Sequence, residues 1–379
     1  YETDSQIVQI FISADGEYFA AAGENDPKFY MFDKDSSTPI WEFETDSAFG
    51  ANNAVALSAD GEYLVTGGGD RKVRLFGNTN NTPIWTYTAG DEVRSVAISS
   101  DGEYIVSGSY NTNGEINFFN KNSSTPIWTS ETKVYQVDIS ADGNYVVAAE
   151  QDGDARIILF GKDNSTPLWS YAHDDGEYAT EVEISADGQY ILGCISFDPG
   201  NTCYLFNKDS NVPIWNYSPG GSGSGSGIGF SADGEYIVIG NNGGSSGGKV
   251  HFLHRNSSTP LWIYNADKTV RDVSISADGE YITAVSHDEK AYLFHRNSST
   301  PLWAYDAGFK LRSLSMSADG RYITIGDSNN ANVGGNKEVI LLKNNYVTGP
   351  SVIPYSPRSG TEPDEPITLR WFAGSDDRS

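Results

Sequence analysis

The chain has 379 residues; 38% are apolar, 12% are aromatic and 40 are glycine. This composition favours many short strands joined by tight turns and disfavours a helical bundle. With 25 basic and 51 acidic residues the net charge is −26, so the chain lacks the basic surface that nucleic acids and anionic membranes require. No apolar run approaches the ~18 residues of a membrane-spanning helix.

Internal repeats dominate the sequence. The string Ser-Ala-Asp-Gly-Glu-Tyr, or a close variant, has its aspartate at Asp15, Asp60, Asp101, Asp142, Asp187, Asp233, Asp278 and Asp319. A second string, Pro-Ile/Leu-Trp, ends at Trp41, Trp85, Trp128, Trp169, Trp215, Trp262 and Trp303. The mean period of about 43 residues is that of a propeller blade.

One period predicts four strands. In the third repeat we expect strand a at residues 93–98, strand b at 103–108, strand c at 115–119 and strand d at 127–129. The Asp-Gly pair between strands a and b supplies a tight turn. The predicted fold is therefore all-β, an eight-bladed β-propeller of four-stranded antiparallel blades.

The repeats resemble two propeller families. Strand a, the Asp-Gly turn and strand b resemble WD40/YVTN repeats, whereas Tyr292-Leu293-Phe294 through Thr300-Pro301-Leu302-Trp303 resembles the PQQ-like (quinoprotein-type) propellers. The second resemblance implies that each strand-d tryptophan docks between neighbouring blades. It covers roughly residues 1–345 and implies little about function, because propellers serve many activities.

The ring is predicted to close through the N-terminal strand. Eight a–b–c units contain only seven Pro-x-Trp strings, and residues 1–5 match residues 43–47, which follow Trp41. We therefore expect residues 1–3 to pair with residues 339–342 as the outer strand of blade eight. The alternative is seven blades with an appended hairpin. The matching tryptophan would precede Tyr1, so we expect the chain to be cut from a longer precursor.

The C-terminal tail differs in composition. We assign residues 1–346 to the propeller and residues 347–379 to a Pro-rich linker followed by the start of an Ig-like or fibronectin-like domain or tether. Residues 367–372 alternate as a strand does and resemble the opening of such a domain. The alternative is that this strand packs on the propeller.

The two faces of the predicted propeller differ. The a–b turns and c–d loops form a repeat face, and the b–c and d–a loops form a variable face, with long segments at residues 48–53, 109–114, 173–178, 196–202, 219–227, 241–248 and 327–336. Variation confined to one face is typical of a binding face, although long loops there can simply be tolerated. Candidate N-glycosylation sites are Asn80, Asn122, Asn164, Asn256 and Asn297 in c–d loops and Asn216 in a d strand; the same strings are also good turn formers.

Strand a offers a candidate ligand or cation site in the central channel. Asp138 and Glu183 occupy one position of blades four and five where other blades carry small residues, and Glu181 lies nearby. Arg94, Arg271 and Arg312 share a different position near the channel mouth. Ion pairs between blades are the alternative explanation.

Other candidate chemistry is sparse. Cys194 and Cys203 flank a hairpin in blade five and are a candidate disulfide, with two free thiols as the alternative. The Asp-rich residues 152–154 and 174–177 suggest calcium only weakly, because they match no EF-hand spacing. With no phosphate-binding loop, His-Glu-x-x-His or Gly-x-Ser-x-Gly string, we expect no catalytic residue and no bound cofactor.

These features predict a non-catalytic recognition or structural module, secreted or on the cell surface. It would contact protein or glycan partners, or copies of itself, through the variable face, and further domains could tether it to a membrane that this chain does not cross. We expect a prokaryotic source, with archaea among the candidates. The alternatives are a channel-mouth enzyme, either a quinoprotein-like dehydrogenase or a polysaccharide lyase, and a self-assembling subunit of a surface layer or filament.

Overall fold

The computed structural model describes residues 1–3, 6–23, 28–45, 54–150, 155–173, 178–197, 200–221, 227–243, 247–327, 338–347 and 367–369, and of residues 197, 200 and 367–369 only the backbone.

Eight four-stranded antiparallel sheets form the blades, and in each of them strand a is innermost and the chain meanders outward. Blades one to four comprise Ile7–Ile12 (β1), Tyr18–Gly23 (β2), Lys28–Asp33 (β3), Trp41–Glu44 (β4); Ala54–Leu57 (β5), Tyr63–Gly67 (β6), Lys72–Gly77 (β7), Trp85–Thr88 (β8); Val93–Ile98 (β9), Tyr104–Ser109 (β10), Ile116–Asn120 (β11), Trp128–Ser130 (β12); Val134–Ile139 (β13), Tyr145–Glu150 (β14), Arg156–Gly161 (β15) and Pro167–Ala172 (β16). Blades five to eight comprise Tyr178–Ile184 (β17), Tyr190–Phe197 (β18), Gly200–Asn207 (β19), Trp215–Tyr217 (β20); Ile228–Phe230 (β21), Tyr236–Asn241 (β22), Lys249–His254 (β23), Ser257–Asn265 (β24); Val270–Ile275 (β25), Tyr281–Ser286 (β26), Lys290–His295 (β27), Trp303–Asp306 (β28); Leu311–Met316 (β29), Tyr322–Asp327 (β30), Val339–Lys343 (β31) and Ile367–Leu369 (β32). The predicted eight-bladed propeller is confirmed, and the seven-blade alternative is wrong.

The repeated string is a turn that satisfies its own polar groups. In blade three, Ser99 Oγ donates to Asp101 Oδ1 (2.6 Å) and accepts from the backbone N–H of Tyr104 (3.0 Å). Gly102 has φ 71°, a left-handed conformation that glycine adopts without strain. The same serine–aspartate hydrogen bond occurs in all eight repeats. The string is therefore explained by structure alone.

Each turn also locks onto the neighbouring blade. The tyrosine at the start of strand b covers the glycine of the next turn, so a Cβ on Gly143 would lie 2.4 Å from Cδ2 of Tyr104. Backbone hydrogen bonds also join successive turns, for example from Ala59 N–H to Ser100 O (3.0 Å). The same bond runs from Ala318 N–H to Ala14 O (2.9 Å) and so links blade eight to blade one.

The strand-d tryptophans dock on the following blade. Trp128 stacks on Phe118 of its own blade (centroids 5.2 Å apart) and on Phe160 of the next (5.5 Å), and its Nε1–H donates to Lys162 O (3.0 Å). Equivalent indole hydrogen bonds start from Trp41, Trp85, Trp169, Trp215 and Trp262, whereas Nε1 of Trp303 has no partner among the described residues. Trp41, Trp128 and Trp303 are buried; Trp85, Trp169, Trp215 and Trp262 are half-buried. Docking therefore does not require complete burial.

Both chain ends contribute to the outer strand of blade eight. Val339 N–H donates to Tyr1 O (3.0 Å), and the Tyr1 ammonium donates to Val339 O (3.2 Å). The backbones of Glu2 and Glu338 form an antiparallel β-bridge. The predicted closure by the N-terminal strand is therefore confirmed. Strand β32 pairs with β31 through Leu341 to Lys343 and continues the same edge. The tail strand thus packs on the propeller, which was the alternative to its being the start of a further domain. The domain boundary after residue 346 stays a prediction.

Candidate functional site

The central channel is lined by strand a of the blades. It encloses a cavity of about 490 Å³. Because side chains alternate along a strand, two positions of each strand a point inward, for example Gln136 and Asp138 of β13, or Asp272 and Ser274 of β25. A register shift just before the first position, as between Val270 and Asp272, marks a β-bulge. The bulge residues include Arg94, Arg271 and Arg312, so all three lie at the variable-face end of strand a.

Inward-pointing polar side chains cap the next blade. An inner strand has an edge of backbone N–H groups that no further strand pairs, and these groups need acceptors. The preceding blade supplies them. In each pair below, a side-chain oxygen of the first residue accepts a hydrogen bond from the backbone N–H of the second residue. The pairs are Gln9 with Val55 (3.0 Å), Ser95 with Val137 (3.1 Å), Gln136 with Val182 (3.1 Å), Asp138 with Ile184 (2.9 Å), Glu183 with Phe230 (3.2 Å), Asp272 with Leu314 (2.9 Å) and Ser315 with Ile12 (3.2 Å).

Four carboxyl groups form an acidic sector, which we define as Asp138, Glu181, Glu183 and Asp272. Burial raises the pKa of Asp138 to about 6, against hydrogen bonds from two backbone N–H groups. Burial and the nearby Asp272 raise the pKa of Glu181 to about 7, and burial raises that of Asp272 to about 7. Burial, followed by the charge of Asp138, raises the pKa of Glu183 well above its usual range. The four groups therefore interact electrostatically across the channel.

The three arginines meet different neighbours. Arg271 partly offsets the acidic sector, since its charge lowers the pKa of Glu181 and of Asp272. Burial and the charge of Arg312 lower the pKa of Arg271 itself. Arg94 lies instead over aromatic rings. The structure therefore brings Arg271 to the acidic sector, with Arg312 beside it, and places Arg94 in a separate cluster.

A tyrosine cluster, defined as Tyr110, Tyr135 and Tyr178 together with Arg94, spans blades three to five at the variable face. The guanidinium carbon of Arg94 lies 4.2 Å from the ring centroid of Tyr135 and 5.2 Å from that of Tyr110. The Tyr110 and Tyr135 centroids are 5.3 Å apart, and those of Tyr135 and Tyr178 are 5.7 Å apart. All four side chains are half-buried.

Sequence reasoning missed Asp272 and the three tyrosines. In strand a, Asp272 lies at the position equivalent to Gln136 and not at the position equivalent to Asp138. The comparison of blades at the Asp138 position therefore does not reveal it. Tyr135 lies at the same strand-a position as Arg94, in the next blade. This equivalence could have indicated that the two side chains are neighbours.

The candidate glycosylation sites lie in c–d loops of the repeat face, except Asn216, which lies in strand β20. Asn80, Asn122, Asn164, Asn216, Asn256 and Asn297 are all exposed. In two of the loops the asparagine forms a turn: Asn80 Oδ1 accepts from Thr82 N–H and Asn164 Oδ1 accepts from Thr166 N–H, both at 2.9 Å. The turn-forming role is therefore visible, and the glycosylation of these residues stays a prediction.

Cys194 and Cys203 face each other in β18 and β19 and form a disulfide with an S–S distance of 2.01 Å. Both side chains are buried in the core shared with blade six.

We expect the Cys194→Ser/Cys203→Ser variant to melt at a lower temperature than the wild type. A bond closing a loop of about 10 residues contributes roughly 2–3 kcal/mol by restricting the unfolded chain. Intact mass after alkylation, with and without prior reduction, should show a gain of two labels only after reduction. Full labelling of the folded, unreduced protein would contradict the bond.

Several sequence-based predictions lie outside the described residues. Residues 152–154 and 174–177, proposed weakly for calcium, are among them, as are parts of the long variable-face loops, at residues 48–53, 198–199, 222–226, 244–246 and 328–336. Within the described part of the chain, no three His, Cys, Asp or Glu side chains are grouped to hold a metal ion. That part also contains no helix long and apolar enough to cross a bilayer.

The fold and the tryptophan docking define the class as a PQQ-like β-propeller. The profile of the PQQ_2 family, described as outer membrane protein assembly factor BamB, matches residues 26–264, which is more than half of the chain. The chain therefore belongs to this family, and the resemblance to PQQ-like propellers is confirmed. The comparison with curated proteins gives no match.

Proposed function

We propose that the protein is a non-catalytic recognition module, secreted or on the cell surface, that binds a macromolecular partner through its variable face. The family description names an assembly factor of outer membrane proteins, which favours a protein over a glycan as the partner. The disulfide in blade five supports an oxidising compartment.

The tyrosine cluster carries this proposal. The repeat face uses its repeated string for hydrogen bonds within and between blades, so those side chains are already engaged. At the variable face, Tyr110, Tyr135 and Tyr178 are each partly exposed. Tyrosine combines apolar area with a hydroxyl group and is enriched where proteins bind partners.

The cluster is also held in place before binding. The b–c loop of blade three that carries Tyr110 is anchored by Tyr110 N–H donating to Glu92 O (3.3 Å) and by Asn113 N–H donating to Asp91 Oδ2 (3.4 Å). A loop that is ordered in the free protein loses less conformational entropy on binding.

The test is binding of the fluorescently labelled protein to arrays of cell-envelope proteins and glycans. We expect a Tyr110→Ser/Tyr178→Ser variant to lose at least about tenfold in affinity for any specific target, as loss of aromatic anchors does. The matched control is Ile84→Ser, which makes a similar apolar-to-polar change at a side chain that is 54% exposed on the outer rim. Equal loss in both variants, or no loss in either, would contradict recognition through the variable face.

A further inference from the structure

The acidic sector carries more charge than its structural task requires. Asp272 caps the backbone N–H of Leu314, and at the same position of other blades Gln9, Ser95 and Gln136 make the equivalent bond. An amide or hydroxyl oxygen therefore suffices as the acceptor at this position.

The second inward position repeats the pattern. Asp138 and Glu183 cap the next blade there, and Ser315 does the same in blade eight without a charge. Neutral residues could accept the hydrogen bonds that Asp138, Glu183 and Asp272 now accept, and would do so without electrostatic repulsion. Carboxylates that repel one another away from bulk water are unfavourable. Their negative charge is therefore available for another task.

One oxygen in the sector has no use within the chain. Glu183 Oε1 accepts the bond from Phe230, but Oε2 is shielded from solvent and has no hydrogen-bond partner among the described residues. The Glu183 side chain is half-buried and lies on the wall of the channel cavity, with Oε2 at its shielded end. An unpartnered buried carboxylate oxygen points to a missing donor.

The placement of the carboxyl groups and the volume of the cavity indicate the kind of cation. The carboxyl groups of the cavity wall come from blades four, five and seven, and among the described residues no three of them are grouped closely enough to hold a metal ion. The volume of about 490 Å³ lies within the usual range for a small-ligand pocket. Beyond the cavity lining, at the variable-face end of strand a, the tyrosine cluster already holds the Arg94 guanidinium by cation–π contact. The net charge of −26 attracts cations toward the protein.

We propose that the central channel binds an organic cation, in which ammonium or guanidinium groups on a flexible chain meet the carboxyl groups of Asp138, Glu183 and Asp272. The cation would be either a free polyamine or a lysine or arginine side chain that a partner protein inserts at the mouth. The site is separate from the loop surface of the variable face, so each proposal can fail without the other.

Binding of the cation depends on ionised carboxyl groups. The other charged groups that act on Asp138, Glu183 and Asp272 are Glu181 on β17 and Arg271 on β25. Around Arg271 lie Arg312 on β29 and His287 in the b–c turn of blade seven, and Lys268 and Lys310 lie near His287. Burial lowers the pKa of His287 to about 4, so this side chain is neutral at pH 5.5 and pH 8.0 alike. Asp138, with a pKa of about 6, and Asp272, with a pKa of about 7, change from largely protonated to ionised between those two pH values, so affinity for a cation should rise with pH.

The experiment is titration calorimetry of the whole chain with spermidine and, separately, with an acetylated, amidated tri-lysine peptide at 150 mM salt. We expect binding at pH 8.0 that is at least tenfold weaker at pH 5.5. The Glu183→Gln/Asp272→Asn variant keeps the capping oxygens and should bind at least tenfold more weakly at pH 8.0. Glu62→Gln, which removes an exposed charge from the repeat face, is the matched control and should bind as the wild type does.

The two ligands distinguish the sources. Tighter binding of spermidine identifies a free polyamine, and tighter binding of the peptide identifies a protein side chain; both outcomes support the proposal. Absence of binding for both ligands, or equal loss in Glu62→Gln, would overturn it. If the double variant does not fold, the same comparison with Asp138→Asn decides, because its neutral cap has a precedent in Ser315.

Discussion

Replacing Trp128 with alanine is expected to lower the melting temperature by at least about 5 °C. The ring stacks between Phe118 and Phe160 of adjacent blades and its indole N–H donates across the interface. Truncation of a buried aromatic side chain costs ~3–5 kcal/mol of stability. The resulting cavity would lie at the junction between two blades, where contacts hold the propeller together. Differential scanning calorimetry gives the measurement.

Two variants separate packing from hydrogen bonding and from local effects. Trp128→Phe keeps most of the packing and loses the hydrogen bond, so its effect should be clearly smaller. Ile127→Ala alters the neighbouring side chain, which is 48% exposed, and should leave the melting temperature nearly unchanged. Equal melting of Trp128→Ala and the wild type would show that the docked ring does not hold the blades together.

The Glu181→Gln/Glu183→Gln variant is expected to be more stable than the wild type at pH 8 and equally stable near pH 4. Burial raises the pKa of Glu181 to about 7 and that of Glu183 further above its usual range. In the wild type the folded state therefore holds protons that the unfolded state has already released. Stability falls as pH rises from the unfolded pKa of ~4.3 through the folded pKa.

The neutral amides remove this loss. Each unit of pKa shift corresponds to ~1.4 kcal/mol, so the difference at pH 8 should reach a few kcal/mol and raise the melting temperature by several degrees. The measurement is the difference in melting temperature between variant and wild type from pH 4.5 to pH 8.5. Taking the difference cancels the opposite contribution of His251 and His287, whose pKa values burial lowers to about 4. A difference that does not grow with pH would contradict the burial of charge in the channel.

Repetition made the fold predictable from the sequence. The eight turn strings gave blade number and strand order, because serine, aspartate, glycine and tyrosine each have a fixed contact in the turn. The match of residues 1–5 to residues 43–47 even gave the register of closure, since Tyr1 pairs with Val339 as Phe43 pairs with Phe29. The pairing of β32 was only one of two expectations, because an alternating strand does not specify its partner.

The candidate site was predictable only in part. Comparison of equivalent positions found Asp138 and Glu183, since a charge among small residues is conspicuous. It could not reveal that these side chains cap the next blade, because that bond joins residues 46 or 47 apart in the sequence. The tyrosine cluster depends on a β-bulge that rotates Tyr135, and alternation alone does not predict a bulge.

The identical turn contacts between blades have a consequence for the order of assembly. Every turn offers the same glycine and accepts the same tyrosine, so these contacts cannot specify which blade follows which. Neighbours are instead chosen by short connections such as residues 89–92, 131–133 and 307–310, which allow each blade only one nearby partner. Blades eight and one lack such a connection and meet across more than 300 residues. Their junction should therefore form last during folding, after the shorter loops have closed.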